Sequence, residues 1–238
     1  HGIVIGRGFH QHAGHAHAEV NALADVGGDV AGATVSVTLE PCAFVGRTPA
    51  CAQTLIDAKV GRVVVATQDP HPQVAGKGCQ MLRDAGIEVV EFDLPEAQQM
   101  IAGFVSRITR QRPRVVLKSA SSLDGAVALA SGESQWITGA AARKEVQQLR
   151  AQSDAVITGA GTVAADDPQL NVRDPGLLVK PLEQPLRVVL DSALRAPSNR
   201  QIFSDHTLVV HGLGEGASYA ETTPGAVEYL PLAGGPRL

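Results

Sequence analysis

Residues 17–51 read HAEVNALADVGGDVAGATVSVTLEPCAFVGRTPAC, and the rest of the chain is organised around this stretch. It contains a histidine, a glutamate two residues later and two cysteines, namely His17, Glu19, Cys42 and Cys51. One imidazole and two thiolates are three of the four ligands of tetrahedral zinc, and the fourth position then stays open to water. The stretch therefore predicts a zinc site whose metal ligands are His17, Cys42 and Cys51.

Glu19 is the acid placed to act beside such a metal. A zinc-bound water loses its proton near neutral pH, and a neighbouring carboxylate can carry that proton to a leaving group. The pattern H-x-E followed by P-C-x-x-C is typical of zinc deaminases, in which the glutamate is acid and base and not a ligand. Here residues 43–50 separate the two cysteines, where the pattern has two residues, so this segment must loop out before the second thiolate returns to the metal.

Local sequence around the second cysteine predicts a helix. Thr48 and Pro49 are typical of an N-cap and a first helical residue, which places Cys51 in the first turn of a helix running to Gly61. A helix N-terminus favours negative charge and therefore a thiolate ligand. His17 is expected at the entry of another helix, with the glutamate close by.

The other histidines and the third cysteine have simpler interpretations. His12 and His15 are expected on the solvated surface, and His71, between two prolines, in a turn. With two of three cysteines assigned to metal, Cys79 has no partner for a disulfide, and a reducing cytoplasm is the expected location. A purely structural zinc would need a fourth protein ligand, such as Cys79 or a nearby histidine, and this alternative stays open.

Composition narrows the class of protein. The 238 residues carry a formal net charge of −4, with 44% hydrophobic and 18% charged residues. This balance is typical of a soluble chain with one large or two ordinary domains. No apolar run approaches the roughly 20 residues of a membrane-spanning helix. A mildly acidic balance argues against nucleic acid as a partner. We therefore expect neither a membrane nor a nucleic-acid partner.

Strands and helices alternate in the first half. Strands are predicted at VIGRGF (4–9), GRVVVAT (61–67), IEVVEF (87–92) and RVVLKSA (114–120), and helices at KGCQMLRDAG (77–86) and LPEAQQMIAGFVSRITRQR (94–112). The alternation favours an α/β fold with a mostly parallel sheet covered on both faces. Because a strand follows the last helix directly, the domain boundary is placed near residue 112.

The second half contains a pattern typical of dinucleotide binding. DAVITGAGTVA matches G-x-G-x-x-A at Gly159, Gly161 and Ala164. A Rossmann crossover requires a helix after the glycines, and the Asp-Asp-Pro at 166–168 argues against one. Strands are predicted at RVVLDS (187–192) and TLVVHG (207–212), and no closing strand or helix is predicted from residue 217 onwards.

Several segments resemble one enzyme family. HxxAGxxHAEVNAL, TLEPCAFVGRTPACAQTLI and QDPHPQVAGKG resemble the deaminase half of the bifunctional riboflavin-biosynthesis deaminase/reductase, and GRTPxC is a hallmark of that family. Ala16 stands where the family commonly has proline. Residues 118–173 resemble the reductase half. The resemblance implies a cytidine-deaminase-like three-layer domain at 1–112, then an incomplete dihydrofolate-reductase-like domain at 113–238, in a fragment truncated at both ends.

The resemblance also implies chemistry. It implies zinc and NADPH as cofactors, deamination of 2,5-diamino-6-(5-phosphoribosylamino)pyrimidin-4-one, and then reduction of the ribosyl group to ribityl. The NADPH contacts that it implies are Ala120, Trp136, Thr162, Asp166 and Ser192, and the substrate contacts are Ser134, Arg150, Leu170 and Arg173. Lys118, which follows an apolar run, is a further candidate for contact with the ribose hydroxyls. A homo-oligomer is expected. The alternative left open is a deaminase whose second domain only binds or dimerises.

Overall fold

The structure is a computed structural model that describes residues 2–46, 49–177, 184–220 and 223–232. It divides into two units, His1–Lys118 and Ser119–Leu238. In the described ranges no helix is both long and apolar enough to span a membrane.

A parallel sheet organises the first unit. Within the described residues its strands are β1 (Thr34–Val37), β2 (Arg62–Val65) and β3 (Glu88–Glu91), in that order across the sheet. The register pairs Val63 with Val35 on one side and with Val89 on the other. The prediction of parallel strands is therefore confirmed here.

Helices α1 (Ala18–Val26), α2 (Cys51–Asp57) and α3 (Lys77–Asp84) accompany this sheet. The core is formed where α2 and α3 meet β2. Its fully buried members are Ala52, Leu55, Val63, Val65, Cys79 and Leu82. Burial of alternate residues of β2 matches the two-residue period of a strand. Because α2 is held by this core, its first residue, Cys51, has a defined position.

The strand predicted at residues 4–9 is wrong. This segment runs along α1 without strand pairing. A Cβ on Gly8 would lie 2.2 Å from the carbonyl oxygen of Ala18, and one on Gly6 would lie 2.6 Å from that of Ala22. The two glycines therefore serve close packing on a helix, which the apolar pattern of the segment does not reveal.

The helix predicted over 94–112 is two helices, α4 (Pro95–Met100) and α5 (Ala102–Arg110), which are separated by Ile101 with φ −100° and ψ 11°. Gly103, which weakens helix propensity, lies just after the break.

The strand predicted at 114–120 is also wrong. Val115 is 81% exposed and Leu117 is 93% exposed, and no strand in the described parts of the chain pairs with this segment. Without a neighbouring strand, an apolar run cannot form a ladder.

The second unit contains another parallel sheet. Its described strands are β4 (Ala155–Gly159), β5 (Leu186–Leu190), β6 (Thr207–His211) and β7 (Val227–Pro231), in that order. Helix α6 (Ala140–Ala151) precedes β4, α7 (Ala160–Asp166) follows it, and short 3-10 turns span Pro175–Leu177 and Gln201–Ser204. The core joins α7 to β5 and β6 through Val163, Val189, Ile202, Phe203 and Val209.

Two expectations for this unit are corrected. Strand β7 pairs with β6, although no closing strand was predicted; its partly buried residues alternate with exposed ones, a weak pattern over only five residues. A helix does follow β4, since α7 begins at Ala160, between the two glycines of the pattern, and ends at Asp166, after which Asp167 adopts a left-handed conformation. The Asp-Asp-Pro sequence therefore limits the helix to two turns and does not prevent it.

Candidate active site

His17 and Glu19 enter the site at the start of α1. His17 is the N-cap residue, with an extended backbone, and Glu19 lies in the first turn with only 9% of its surface exposed. The Asn21 side-chain amide donates to the carbonyl oxygens of Phe9 (2.8 Å) and Ala16 (3.2 Å). These bonds tie the segment before His17 to the helix, so the prediction of a helix entry is confirmed.

Cys51 is the first residue of α2, which confirms its predicted place in the first turn. Its backbone N–H donates to Cys42 Sγ at 3.2 Å, and the N–H of Ala52 donates to the Cys42 carbonyl at 3.1 Å. The Cys42 loop thus satisfies donors of the helix start that a side-chain cap would otherwise take. For this reason Ala50 is the N-cap residue, and Pro49 lies outside the helix, contrary to prediction.

Thr48, predicted as the cap, lies outside the described residues. The helix ends at Asp57, short of the predicted Gly61. There Lys59 takes a positive φ of 54° and its carbonyl accepts from Gly32 N–H at 2.9 Å, which turns the chain into β2.

The three predicted metal ligands converge. His17 Nδ1 lies 3.1 Å from Cys51 Sγ and 3.7 Å from Cys42 Sγ, and all three ligand atoms lie within 4.8 Å of one another. Ligand atoms around tetrahedral zinc are separated by roughly 3.3–3.8 Å, given the usual Zn–N and Zn–S bond lengths. The spacing and the donor set, one imidazole and two thiols, therefore fit zinc.

The two cysteine thiols of the ligand group differ in pKa. The Cys51 side chain donates to Cys42, which helps to lower the pKa of Cys42 to about 6. The pKa of Cys51 is raised, because it is the donor of this pair, is buried and lies beside the Glu19 carboxylate.

Burial raises the pKa of Cys79 to about 12. Cys79 packs in the core and is not a member of the ligand group found among the described residues, so the structure does not favour it as a fourth ligand.

A small cavity opens beside the ligand group. Its volume is about 250 Å³, and its lining consists of His10, Ala13, Gly14, His17, Cys42, Phe44 and Gly46. The His10 ring stands edge-on to the His17 ring at 5.2 Å. His10 was not among the predicted site residues, and its place in the HxxAG motif was the one signal for it in the sequence. His12 and His15 are exposed, as predicted, and His71 lies in a bend, its N–H donating to Asp69.

A larger open cleft of about 1210 Å³ lies at the carboxyl ends of β2 and β3, bordered by α4 and α5. None of the predicted site residues lines it. The ligand group and its small cavity are therefore the better candidate for chemistry in the first unit.

Three of the predicted cofactor contacts lie at one edge of the second sheet. Thr162 and Asp166 are exposed on α7, which follows β4 directly, and Ser192 follows β5. Because the last residues of β4 and β5 are register partners, these positions share the carboxyl edge of the sheet, where α/β proteins bind ligands. Ser134, a predicted substrate contact, donates to Asp166 Oδ1 at 3.5 Å. This arrangement fits a cofactor at that edge.

The remaining predicted residues are more dispersed. Trp136 is 70% exposed, with the Arg143 guanidinium 4.5 Å from its ring centroid. Ala120 and Lys118 lie in the segment that forms no strand. Leu170 has a positive φ of 53° and packs against the core.

Arg150 and Arg173 form a pair of cations. The Arg150 guanidinium donates to the carbonyl of Asn171 at 3.0 Å, and its pKa is lowered by burial and by the neighbouring Arg173. The Oδ1 atom of Asn171 is buried and has no hydrogen-bond partner. Two guanidiniums at one place suit a phosphate. The roles of all these residues remain predictions.

Comparison with known proteins gives two family matches. Residues 1–67 match the cytidine and deoxycytidylate deaminase zinc-binding region, and residues 113–214 match the RibD C-terminal domain. The predicted fold class, a deaminase-like domain followed by a reductase-like one, is confirmed by these matches and by the solved structures described next.

Curated relatives and solved structures point to the same family as the match to the RibD C-terminal domain. The chain is 50% identical over 217 residues to the riboflavin biosynthesis protein RibD of Haemophilus influenzae, covering 87% of this chain and 58% of that protein. It is 50% identical over 203 residues to RibD of Escherichia coli, covering 82% and 55%. The chain thus spans little more than half the length of these relatives.

Among solved structures, RibD of Acinetobacter baumannii has 44% identity and a TM-score of 0.76, with 94% of this chain and 70% of that chain covered. A deaminase/reductase from Thermotoga maritima, named for diaminohydroxyphosphoribosylaminopyrimidine and 5-amino-6-(5-phosphoribosylamino)uracil, has 38% identity and a TM-score of 0.79, covering 93% and 63%.

Proposed function

Because the chain belongs to the RibD family of riboflavin-biosynthesis proteins, we propose that it carries a zinc-dependent deaminase in its first unit and residues of an NADPH-dependent reductase in its second. The substrate of the first reaction is 2,5-diamino-6-(5-phosphoribosylamino)pyrimidin-4-one, and the product is 5-amino-6-(5-phosphoribosylamino)uracil. The second reaction reduces the ribosyl group of this product to ribityl. The two family matches, one to each unit, support both cofactors.

One observation carries the first activity: His17, Cys42 and Cys51 converge, with the Glu19 carboxylate beside Cys51. Zinc, when bound to these three residues, supplies a Lewis acid that activates water at neutral pH. Glu19 takes a proton from the attacking water and delivers it to the amino group as the C–N bond breaks, so that ammonia leaves. The burial of Glu19 excludes solvent from this transfer.

The cavity beside the ligands supports a single-ring substrate. Its volume of about 250 Å³ suits a pyrimidine rather than a whole phosphoribosyl compound, so the sugar phosphate would extend out of it. Phe44 lines the cavity and is 44% exposed, which makes its face available to a flat ring.

In the second unit, the reductase requires a site for NADPH and one for the sugar phosphate. Thr162, Asp166 and Ser192 at the carboxyl edge of the sheet support the first, and the cation pair of Arg150 and Arg173 supports the second. NADPH, when bound, supplies the reducing equivalents. Ala120, Trp136, Ser134 and Leu170 remain proposed contacts from the family resemblance.

Location and assembly are proposed from the cysteines and from the family. The cysteines are free thiols, two of them at the candidate metal site, which suits a reducing cytoplasm. A homo-oligomer is proposed from the resemblance to the family.

The test measures ammonia release from the diaminopyrimidine ribosyl phosphate by the protein and by its Glu19→Gln variant at equal zinc content. We expect the variant to retain zinc and to lose about 10²–10⁴-fold in turnover, the usual contribution of a general acid–base. Glu96→Gln, an exposed position at the start of α4, is the matched control and keeps full activity. Undiminished turnover by Glu19→Gln would refute the role of Glu19. A zinc-loaded protein that releases no ammonia would refute the activity.

A further inference from the structure

Glu40 is a buried acid outside the ligand group, and its side chain binds the segment 69–79 of the chain. It is 3% exposed, and its two oxygens accept four backbone N–H groups. Oε1 accepts from Gly78 (2.9 Å) and Cys79 (3.2 Å), and Oε2 accepts from Gly76 (2.9 Å) and Asp69 (3.3 Å). Glu40 was not among the predicted site residues, because its partners lie 29–39 positions further along the chain.

The Glu40 carboxylate also accepts hydrogen bonds from the first turn of helix α3. Gly78 and Cys79 are the second and third residues of that helix, and its N-cap residue, Gly76, offers no side chain. Orphan N–H groups at a helix start are usually satisfied by a local side chain, and here a distant carboxylate takes that place. A charge at this end of the helix is also favoured by the helix dipole.

Glu40 is at the same time the residue from which the Cys42 loop departs. Its backbone N–H donates to the Thr67 carbonyl at 3.0 Å, beyond the end of β2. The next residue, Pro41, is in direct contact with α3, since a Cβ on Gly78 would lie 1.8 Å from the Pro41 carbonyl oxygen. The segment that carries Cys42 is therefore held between the sheet and α3.

We propose that Glu40 is a positioning residue of the metal centre: by binding the 69–79 segment, it sets the place of Cys42 relative to Cys51 and His17. The inference rests on the proposed zinc site. Cys51 is held by the core contacts of α2, and the Cys42 loop meets the start of α2 through the N–H groups of Cys51 and Ala52. Glu40 anchors the other end of that loop, so the relative position of the two thiols depends on both attachments. Displacement of that loop would lengthen the distances among the three ligand atoms.

The chemistry of the four bonds requires a carboxylate. Every partner of Glu40 is a donor, and both carboxylate oxygens can accept two bonds. Glutamine has the same shape, but its NH₂ group would face two backbone N–H groups in place of an acceptor. A buried donor without an acceptor is costly, so the loop would shift to relieve the conflict.

The test measures binding of Co²⁺, and then of Zn²⁺ by competition, to the metal-free full chain. The visible absorption of Co²⁺ reports the geometry of its thiolate ligands. For Glu40→Gln we expect about 10–100-fold weaker metal binding, the range found when residues that support metal ligands are changed, together with an altered Co²⁺ spectrum. Glu40→Asp, which keeps the charge but withdraws the oxygens by one methylene, should bind with intermediate affinity.

Ala97→Gly is the matched control, because it weakens helix α4 at a buried position that lies outside the core holding α2 and that does not contact Glu40. Circular dichroism at the assay temperature establishes that each variant is folded, and if Glu40→Gln is unfolded the decision rests on Glu40→Asp. Loss of affinity in the Glu40 variants but not in Ala97→Gly supports positioning. Unchanged affinity in folded Glu40 variants, or an equal loss in folded Ala97→Gly, overturns it. If the unaltered protein binds neither metal, the proposed zinc site itself fails.

Discussion

Gly78→Ala tests how closely α3 contacts the loop that carries Cys42. The added Cβ would lie 1.8 Å from the Pro41 carbonyl oxygen, whereas ordinary contact begins at 3.4 Å, so the two backbones must separate by about 1.6 Å. Neither backbone can move away easily, because the side chain of Glu40, the neighbour of Pro41, accepts a hydrogen bond from the N–H of Gly78 at 2.9 Å. The substitution therefore strains the packing and the hydrogen bonds together.

The magnitude follows from these contacts. Overpacking in a filled core costs about 1–3 kcal/mol, and weakening the bonds from Gly78 and Cys79 to a charged acceptor adds about 1.5–3 kcal/mol. Alanine recovers about 1 kcal/mol of helix propensity relative to glycine. We expect a net loss of about 1.5–5 kcal/mol in the free energy of unfolding of the first unit. A large part of the stability of an ordinary domain would thus be lost.

The assay must report on the first unit. The one tryptophan and both tyrosines lie beyond Lys118, so intrinsic fluorescence reports on the second unit. Amide hydrogen exchange in the central strand β2, read by mass spectrometry, gives the opening free energy of the first sheet. Gly103→Ala is the control, since its Cβ in α5 meets nothing within 4 Å. Protection in β2 that is the same in Gly78→Ala and Gly103→Ala would refute the reasoning.

Two further predictions concern thiols and cations. In the metal-free protein Cys42, with its pKa lowered to about 6, should be alkylated by iodoacetamide at neutral pH, and the rate should fall as the pH drops through 6 and the thiolate is protonated. Buried Cys79, with its pKa raised to about 12, should stay unmodified until the chain unfolds; peptide mapping that finds Cys79 labelled first would contradict this. Arg150→Ala should weaken phosphoribosyl substrate binding to the second unit by about 10-fold or more, as expected for loss of a charged hydrogen-bond donor, with ammonia release unchanged. Isothermal titration with the deaminated product checks this, and equal affinity would remove Arg150 from the substrate site.

The sequence by itself determined which side chains make up the candidate metal site. The residue types and their order predicted His17, Cys42 and Cys51 as ligands and Glu19 as the acid beside them, because a zinc donor set depends on side-chain identity, and the structure brings the three predicted ligands together. The sequence also located the buried strand β2 and helix α3, whose apolar periods are clear over short windows. These features depend on residues that are close in sequence or distinctive in kind.

Only the tertiary structure decided which apolar runs became strands. Residues 4–9 pack on α1, residues 114–120 pair with no described strand, and Val227–Pro231 forms β7 beside β6. The place of Glu40 was equally hidden, since its four donors come from the segment 69–79. The physical reason is common to all of these. A ladder or a buried carboxylate is stabilised by partners distant along the chain, and a local pattern carries no information about which partner will be adjacent.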